Sequence, residues 1–482
     1  NSLLFLNLIL ATQLFFSCNR NVENKDSYIK EDNQPPNFIF ILADDQGWNG
    51  TSVQMIDNYP QSKSDYHETP NLELLAERGM RFSSTYASAP VCSPSRYSIQ
   101  FGQTPARLKM IRVGMNTKHI HHETPYTIPK LLKSINPNYR AAHFGKWGID
   151  AHPCVLGYDE SDGITGNKDG GFNHKSNKKQ WQNNISEDPK KIFSTTERAL
   201  NFLEHQASSK QPFFLQVSHY AVHSDLMMRQ ETLNKYKSKP KGKHQKHAGF
   251  AAMTEDLDTG VGMLLERLKA LELERNTYVI YTSDNGAVPA MPPRPKYKTG
   301  TNYPLSRGKS DAMEGGIRVP FVIAGPLIKP GSESNTPITF SDIMPTVIDL
   351  ADGSLPTYEA LDGGSFKNIL LHKETNIKRP FDGLVFHVPY ENGIALKRAH
   401  SSIIMDHLKL IKFYDNNELL LFNLENDIEE KNNLAMTQPK KCKFLETTLD
   451  TYLQNVKAPK WKTGLTWKSD TCLLYTSPSP RD

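Results

Sequence analysis

The sequence predicts an α/β fold in which a large mixed, mostly parallel sheet is flanked by helices, with a small C-terminal subdomain made of an antiparallel sheet and a helix. Three apolar runs, Asn37 to Ala43, Phe213 to Val217 and Tyr278 to Thr282, each end abruptly in polar residues. Runs of that kind suit strands buried on both faces, as in a largely parallel sheet. Helical patterns lie between them, and strand-helix alternation argues for helices on both faces of the sheet. Beyond about residue 375 the texture changes to short strand-like runs separated by turns such as Asp415-Asn416-Asn417, which predicts the antiparallel subdomain.

Taken in order, Leu3 to Phe16 is apolar apart from Asn7, Thr12 and Gln13, and a polar stretch follows from Asn19 to Gln34. A run of ~14 residues is short for a bilayer span and matches the apolar region of an export signal. Asn37 to Ala43 leads into Asp44-Asp45. Thr69 is placed to cap a helix with Pro70 in its first turn, a face of Leu72, Leu75 and Ala76, and Gly79 at its close. Pro94 is placed to start another helix with Ser93 as its cap, which sets Cys92 just outside a helix N-terminus, where negative charge is stabilised. Arg140 to Phe144 is a short apolar stretch before Gly145-Lys146-Trp147-Gly148, and Phe213 to Val217 runs into Ser218-His219-Tyr220-Ala221-Val222-His223.

Lys235, Lys237, Lys239, Lys241, Lys243 and Lys246 fall in one stretch broken by Pro240 and Gly242, read as a solvated loop, with contact to an anionic polymer as the alternative. Leu257, Val261, Leu264, Leu265, Leu268 and Leu271 form the face of a long helix, and Tyr278 to Thr282 then runs into Ser283-Asp284-Asn285. The C-terminal strands are expected at Phe381 to Val388, Ser401 to Met405, His407 to Tyr414 and Glu418 to Phe422, covered by a helix over Lys440 to Val456. Cys472 to Asp482 has no periodicity and resembles translated sequencing adapter. The expected organisation is a leader over 1–18 that begins short of its own start, a linker over 19–35, a main domain over 36–375, the subdomain over 376–467 and a tail over 468–482.

Composition narrows the classes. With 38% hydrophobic and 23% charged residues the chain is neither fibrous nor wholly disordered. The net charge of +5, from 57 basic and 52 acidic residues, is too small a surplus to argue for nucleic acid. Five cysteines in an exported chain of this length do not make a disulfide framework.

Ser17-Cys18 after the apolar run resembles a bacterial lipoprotein box, with Phe15 and Phe16 where that pattern more often has Leu and a small residue. The resemblance implies an exported protein, periplasmic or held at the outer membrane through lipid on Cys18, with no other membrane contact.

Cys92-Ser93-Pro94-Ser95-Arg96 is the most informative segment. At this chain's usage rates on the order of 0.01 matches to Cys-x-Pro-x-Arg are expected by chance, so the spacing is not accidental. It resembles the signature of the type I, formylglycine-dependent sulfatases of the alkaline-phosphatase-like superfamily. The resemblance implies that a maturation enzyme oxidises Cys92 to formylglycine, whose hydrate is the nucleophile. Further motifs fall in the family's order over about residues 36 to 435. Asp44-Asp45 and Asp284-Asn285 resemble its paired metal ligands, which with the Cys92-derived group imply a Ca²⁺ site; the donors are oxygens, which suit a hard cation. Gly145-Lys146-Trp147 resembles the segment whose Lys contacts the formylglycine and the sulfate. Many members continue with a His that regenerates the aldehyde, where this chain has Gly148, so that base is open among His143, His152 and the His119, His121, His122 cluster, each of which also reads as structural or exposed.

Ser218 to His223 resembles the segment that delivers a sulfate-binding His, with His223 preferred and His219 second. Arg307-Gly308-Lys309 resembles the family's second Lys, set to hold a sulfate oxygen. Arg96 would orient the formylglycine, and Arg318 reads as a structural ion pair. The implied activity is hydrolysis of a sulfate ester on a sulfated polysaccharide or oligosaccharide, with the sugar selected by loops such as Gly157 to Asn184 and Ala287 to Asn302. The alternatives are a phosphoester or phosphonate hydrolase of the same superfamily and a non-catalytic lipoprotein that binds sulfated glycan.

Overall fold

The computed structural model describes residues 34–173, 177–289, 301–354, 360–393 and 396–466. The leader with Cys18, most of the linker, parts of the two specificity loops and the tail with Cys472 lie outside the described residues.

The main sheet has eight strands in the order Ser332–Ser334, Gly79–Phe82, Phe321–Ala324, Thr277–Ser283, Asn37–Ala43, Phe213–Ser218, Arg140–Gly145 and Glu160–Ser161. Phe321–Ala324 runs antiparallel to both its neighbours, and every other pair is parallel. The mixed, mostly parallel sheet expected from the apolar runs is therefore present. Asn37–Ala43 lies at its centre with all seven residues buried. Because successive side chains point to opposite faces, Phe38, Phe40 and Leu42 enter one core and Ile39, Ile41 and Ala43 the other. The first core is closed by helices Cys92–Phe101, Ile128–Ile135 and Ile343–Leu350, the second by Pro70–Glu77, Ile192–Ser209 and Ala248–Ala270. Burial on both faces is why no alternation shows in these strands.

Two local expectations are corrected. Helix Pro70–Glu77 is closed by Arg78, and Gly79 opens the next strand, where a Cβ would lie 2.2 Å from the Ile323 carbonyl oxygen of the adjacent strand. The Thr69 hydroxyl accepts from Ser52 N–H at 2.8 Å and makes no cap bond to the helix. The lysine stretch is not one loop. Lys235 and Lys237 end a helix, Gln230–Ser238, which buries Leu233 and Tyr236 and stops before Pro240, as the restriction on a residue preceding proline requires.

The four strands Leu384–Val388, His400–Met405, Leu408–Phe413 and Leu419–Asn423 pair antiparallel in chain order. One face meets helix Pro439–Asn455 through Leu445, Leu449 and Tyr452 against Ile403, Leu410 and Leu421, each buried leucine contributing about 1.5–3 kcal/mol. The other face, with Phe386, Ile404 and Ile411, joins the first core of the main sheet. Among the described residues no helix is long and apolar enough to cross a membrane.

Candidate active site

Four adjacent parallel strands end on one side of the sheet, and each delivers polar residues there. Asn37–Ala43 is followed by Asp44 and Asp45, Thr277–Ser283 by Asp284 and Asn285, Arg140–Gly145 by Lys146, and Phe213–Ser218 by the segment to His223. Ligands of open α/β sheets bind beyond such carboxyl ends. The carboxylates of Asp44, Asp45 and Asp284 approach within 4.8 Å of one another, and all three residues are buried. Asn285 joins them, its amide donating to Asp45 at 2.7 Å.

Two buried cations, Arg96 and Lys146, and the partly buried Lys309 neutralise the three acids. Lys146 Nζ lies 2.5 Å from Asp44, Lys309 Nζ 2.7 Å from Asp45, and the Arg96 guanidinium 2.7 Å from Asp284. Arg96 also donates to the Lys146 carbonyl oxygen, which ties the helix to the strand end. Burial alone would push the Asp44 carboxyl up, but Lys146, with His223, Arg96 and Lys309, holds it below the usual carboxylate range. For Asp284 burial and the adjacent Asp44 prevail over Arg96 and Lys146, and its carboxyl is pushed up to about 6. Burial works against charge on Lys309 as well, yet Asp45, Cys92 and Asp44 keep the ammonium firmly protonated.

The residues present fit a hard divalent cation. Asp44 Oδ1 and Asn285 Oδ1 are buried without a hydrogen-bond partner, an arrangement that costs free energy unless something binds there. Every donor in the group is oxygen, the set preferred by Ca²⁺ or Mg²⁺. The Cys92 sulfur is not a member of the compact carboxylate cluster.

Cys92 is 2% exposed and begins helix Cys92–Phe101, whose ten residues are all buried. The helix starts earlier than the Ser93 cap and Pro94 start expected: Val91 is the extended cap residue, and Pro94 is the third helical residue. Proline is tolerated there because the first four helical N–H groups have no intrahelical partner. Cys92 thus sits inside the first turn, still at the positive end of the helix dipole. The interactions of Arg96, Lys146 and Lys309 with Cys92 put its side chain among the three cations.

His223 and His219 separate clearly. His223 Nε2 lies 3.7 Å from Asp45, while Nδ1 contacts the Ser224 carbonyl oxygen at 2.5 Å. A carbonyl oxygen only accepts, so Nδ1 carries the proton and Nε2 faces the cluster. The Phe172 ring packs edge-on against this imidazole at 5.1 Å. Burial and Lys309 hold His223 down at about 4, opposed by Asp45 and Asp44. His219 is wholly buried beside Gly260 of helix Ala248–Ala270, and neither ring nitrogen reaches a hydrogen-bond partner.

None of the histidines considered for the regenerating base meets the cluster. His143 Nε2 bonds the Ser218 hydroxyl at 3.1 Å under Trp147, and His152 caps a short turn through Cys154. His119 contacts the Leu108 carbonyl oxygen, His122 the Tyr97 hydroxyl, and His121 is exposed. Gly148 has φ of +71°, and a Cβ there would lie 3.0 Å from Arg96 Cδ. The glycine is what lets the backbone run this close to Arg96.

Two features escaped the sequence reading. Lys190 is buried near Asp44, donates to the Ser224 carbonyl oxygen at 3.3 Å, and is held down at about 8 by burial against the pull of Asp44 and Asp225. No motif surrounds it. The second is a backing for the Lys309 loop. Lys409 Nζ, fully buried, lies 2.8 Å from both Glu314 and Glu430, and Glu314 also pairs with Arg318 at 2.6 Å. Glu430 accepts from the Glu314 N–H at 2.8 Å and from the Ser306 hydroxyl. His400 Nε2 accepts from Ala312 N–H at 2.9 Å. Both ends of the loop bearing Lys309 are therefore held by the C-terminal sheet and the turn after it, and Arg318 is a structural ion pair as expected.

A mixed, mostly parallel sheet with a buried cluster of oxygen donors at its strand ends is the arrangement of the alkaline-phosphatase-like superfamily. The model of the sulfatase family matches residues 36–354, and that of the N-sulphoglucosamine sulphohydrolase C-terminal region matches residues 309–458. The chain belongs to the sulfatase family. It is 29% identical over 371 residues to the N-acetylgalactosamine-6-sulfatase of Mus musculus, covering 68% of this chain and 65% of that protein, so it spans about two thirds of that relative's length. It is 27% identical to a sulfatase of Formosa agariphila over 90% of this chain and 89% of that one. Among solved structures, Ps i-CgsB in complex with k-i-k-neocarrahexaose superposes with a TM-score of 0.70 at 25% identity, covering 89% of this chain and 96% of that one.

Proposed function

We propose that this protein hydrolyses a sulfate ester of a sulfated carbohydrate: water is added across the ester, giving an alcohol and hydrogen sulfate. The observation that carries the reading is the meeting of Asp44, Asp45, Asp284 and Asn285 with Arg96, Lys146, Lys309 and His223 around the helix start at Cys92. The cluster holds equal numbers of acids and cations, so a divalent metal gives it a net positive charge matched to a sulfuryl group. Ca²⁺ held by the four oxygen-bearing residues would supply Lewis-acid polarisation of a sulfate oxygen. Cys92, converted to formylglycine by a maturation enzyme, would supply a hydrated aldehyde as the nucleophile.

The chain's own residues do the rest. Lys146 and Lys309 hold sulfate oxygens as fixed ammonium donors, and Arg96 fixes the helix start against Asp284. Such preorganised charge is worth most in a buried site. His223 presents Nε2 where an ester oxygen would leave; an anionic substrate beside it raises its proton affinity and lets it hold a proton for that oxygen. The carbohydrate class is supported by relatives named N-acetylgalactosamine-6-sulfatase and ulvan-active sulfatase. Export through the N-terminal apolar run, with a lipid anchor on Cys18, belongs to the same proposal and is read by metabolic labelling with a radioactive fatty acid.

The test is sulfate release by chain co-expressed with a maturation enzyme, on a panel of aryl sulfates, aryl phosphates and defined sulfated oligosaccharides. Cys92→Ala is expected to abolish release from every substrate. Retained turnover by that variant, or a preference for phosphate, would sink the assignment.

A further inference from the structure

The lysine stretch around residue 240 has a structure its composition does not disclose. Lys235 pairs with Glu68 at 2.6 Å and Glu255 at 2.8 Å, and Lys239 with Glu68 at 2.5 Å. Lys237, Lys241 and Lys246 are exposed, and among the described residues none has a carboxylate partner. These three, with His244 and His247, line a cavity of about 500 Å³, inside the ~300–1,000 Å³ range of small-molecule sites. No aspartate or glutamate lines it among the described residues. Two lysines of the stretch are thus neutralised by acids and three line a cavity.

The cavity borders the proposed active site. Its wall includes Gly47, two residues beyond Asp45, and Ala287, two residues beyond Asn285. The Ala287 carbonyl oxygen accepts the Lys309 N–H at 2.9 Å, so one stretch of backbone serves both places. The lysine-bearing segment is also fixed: the Asp65 carboxylate accepts the N–H groups of His244 at 2.7 Å and Gln245 at 3.0 Å, and the His244 ring stacks on Tyr303 at 3.7 Å. A positive concavity held in place concentrates anions beyond what a mobile lysine tail does.

We propose that this cavity is a second anion subsite, where Lys237, Lys241 and Lys246 hold the sulfate or carboxylate of a sugar next to the one whose ester is cleaved. The inference rests on the sulfatase reading and deepens it: the substrate carries at least two anionic groups on neighbouring sugars. The three lysines match the charge of such a sugar.

The test measures binding apart from turnover. In the full chain carrying Cys92→Ala, calorimetry at about 0.15 M salt compares a dextran sulfate hexasaccharide with the uncharged dextran hexasaccharide. The combined Lys237→Ala, Lys241→Ala and Lys246→Ala variant is expected to bind the sulfated probe about threefold to a hundredfold more weakly, since each exposed ion contact is worth a factor of roughly 1.5 to 5. Arginine at the same three positions keeps the charge and is expected to restore binding. An unchanged melting temperature shows that the alanine variant is folded. Equal affinity of the alanine variant and its parent, or equal binding of the uncharged probe, overturns the proposal. Hydrolysis of an aryl sulfate by the chain with Cys92 intact is a separate readout, so failure of the sulfatase reading and failure of this one are told apart.

Discussion

Replacing Lys409 by Met removes the single cation that two buried carboxylates share. Lys409, Glu314 and Glu430 are all shielded from water, and the ammonium stands 2.8 Å from each acid. With Arg318 included, the cluster is neutral, and the substitution leaves one uncompensated negative charge in the core. Breaking a buried pair this way typically costs about 3–5 kcal/mol. Glu430 limits the cost, because burial already raises its carboxyl above the usual range and it can take up a proton. Urea unfolding reads the change as a lower midpoint at unchanged slope. Pairing the substitution with Glu430→Gln removes the excess charge and is expected to recover part of the loss. The same carboxylate fixes Ser306 and the N–H of Glu314 on either side of Lys309. Even a 1 Å displacement of a positioned group can lower turnover by about 10²-fold, so kcat/KM is expected to fall with stability. A Lys409→Met chain that unfolds within about 1 kcal/mol of its parent and keeps its kcat/KM would refute the reasoning, because it would show that neither the core nor the Lys309 loop depends on this charge.

Three further outcomes follow from the geometry. Ca²⁺ at a hundredfold excess over its dissociation constant is expected to stabilise the chain by about 2.7 kcal/mol, an effect absent in Asp284→Asn and reversed by a chelator in a melting experiment. His400 accepts a backbone N–H from Ala312 through Nε2 and is held down at about 4 by burial, as is His387. The unfolded chain protonates these rings below about pH 6.5 and the folded one does not, so stability falls as pH drops from about 6.5 to 4, by up to about 3 kcal/mol per ring. Urea midpoints across that range test it, and His400→Gln is expected to flatten the slope. Gly148→His, which writes back the residue many sulfatases carry, is expected to destabilise by about 1–2 kcal/mol and to lower kcat, because the backbone is left-handed there and the Cβ crowds Arg96. A gain of activity would show that the loop can re-form around the imidazole.

Much of the architecture was legible because a strand buried on both faces cannot hide its composition. Phe38 to Ala43 alternates between two cores, both apolar, so the run reads as continuous. The polar residues at the ends of such runs then named the site, since Asp44 and Asp284 follow their strands directly and His223 comes in the segment after Ser218. What lay beyond reach is pairing across the chain. Nothing near Lys409 or Glu430 hints at Glu314, and Lys190 stands in no motif. The lysine stretch is no single loop because its helix is held by Leu233 and Tyr236 and by the pairing of Lys235 with Glu68, far back in the chain. The position of a histidine in the sequence says little about which side of a sheet its ring occupies. His143 shows this, being placed beneath Trp147 by the alternation of its own strand.

The complete burial of helix Cys92–Phe101 sets a schedule. A catalyst of protein size cannot reach a thiol that is 2% exposed, so the conversion proposed for Cys92 has to precede closure of the fold. Closure needs the strands at 213–218 and 277–283, which pair on either side of Asn37–Ala43. The last of these leaves the ribosome about 190 residues after Cys92, which at roughly 5–20 residues per second is ~10–40 s. Within that interval the nascent chain would be open to the proposed conversion, and afterwards an unconverted molecule would be sealed for as long as it stays folded. The fraction of active protein in a cell would then be decided by a race between maturation and synthesis, and slowing translation downstream of Cys92 would raise it with no change to the enzyme itself.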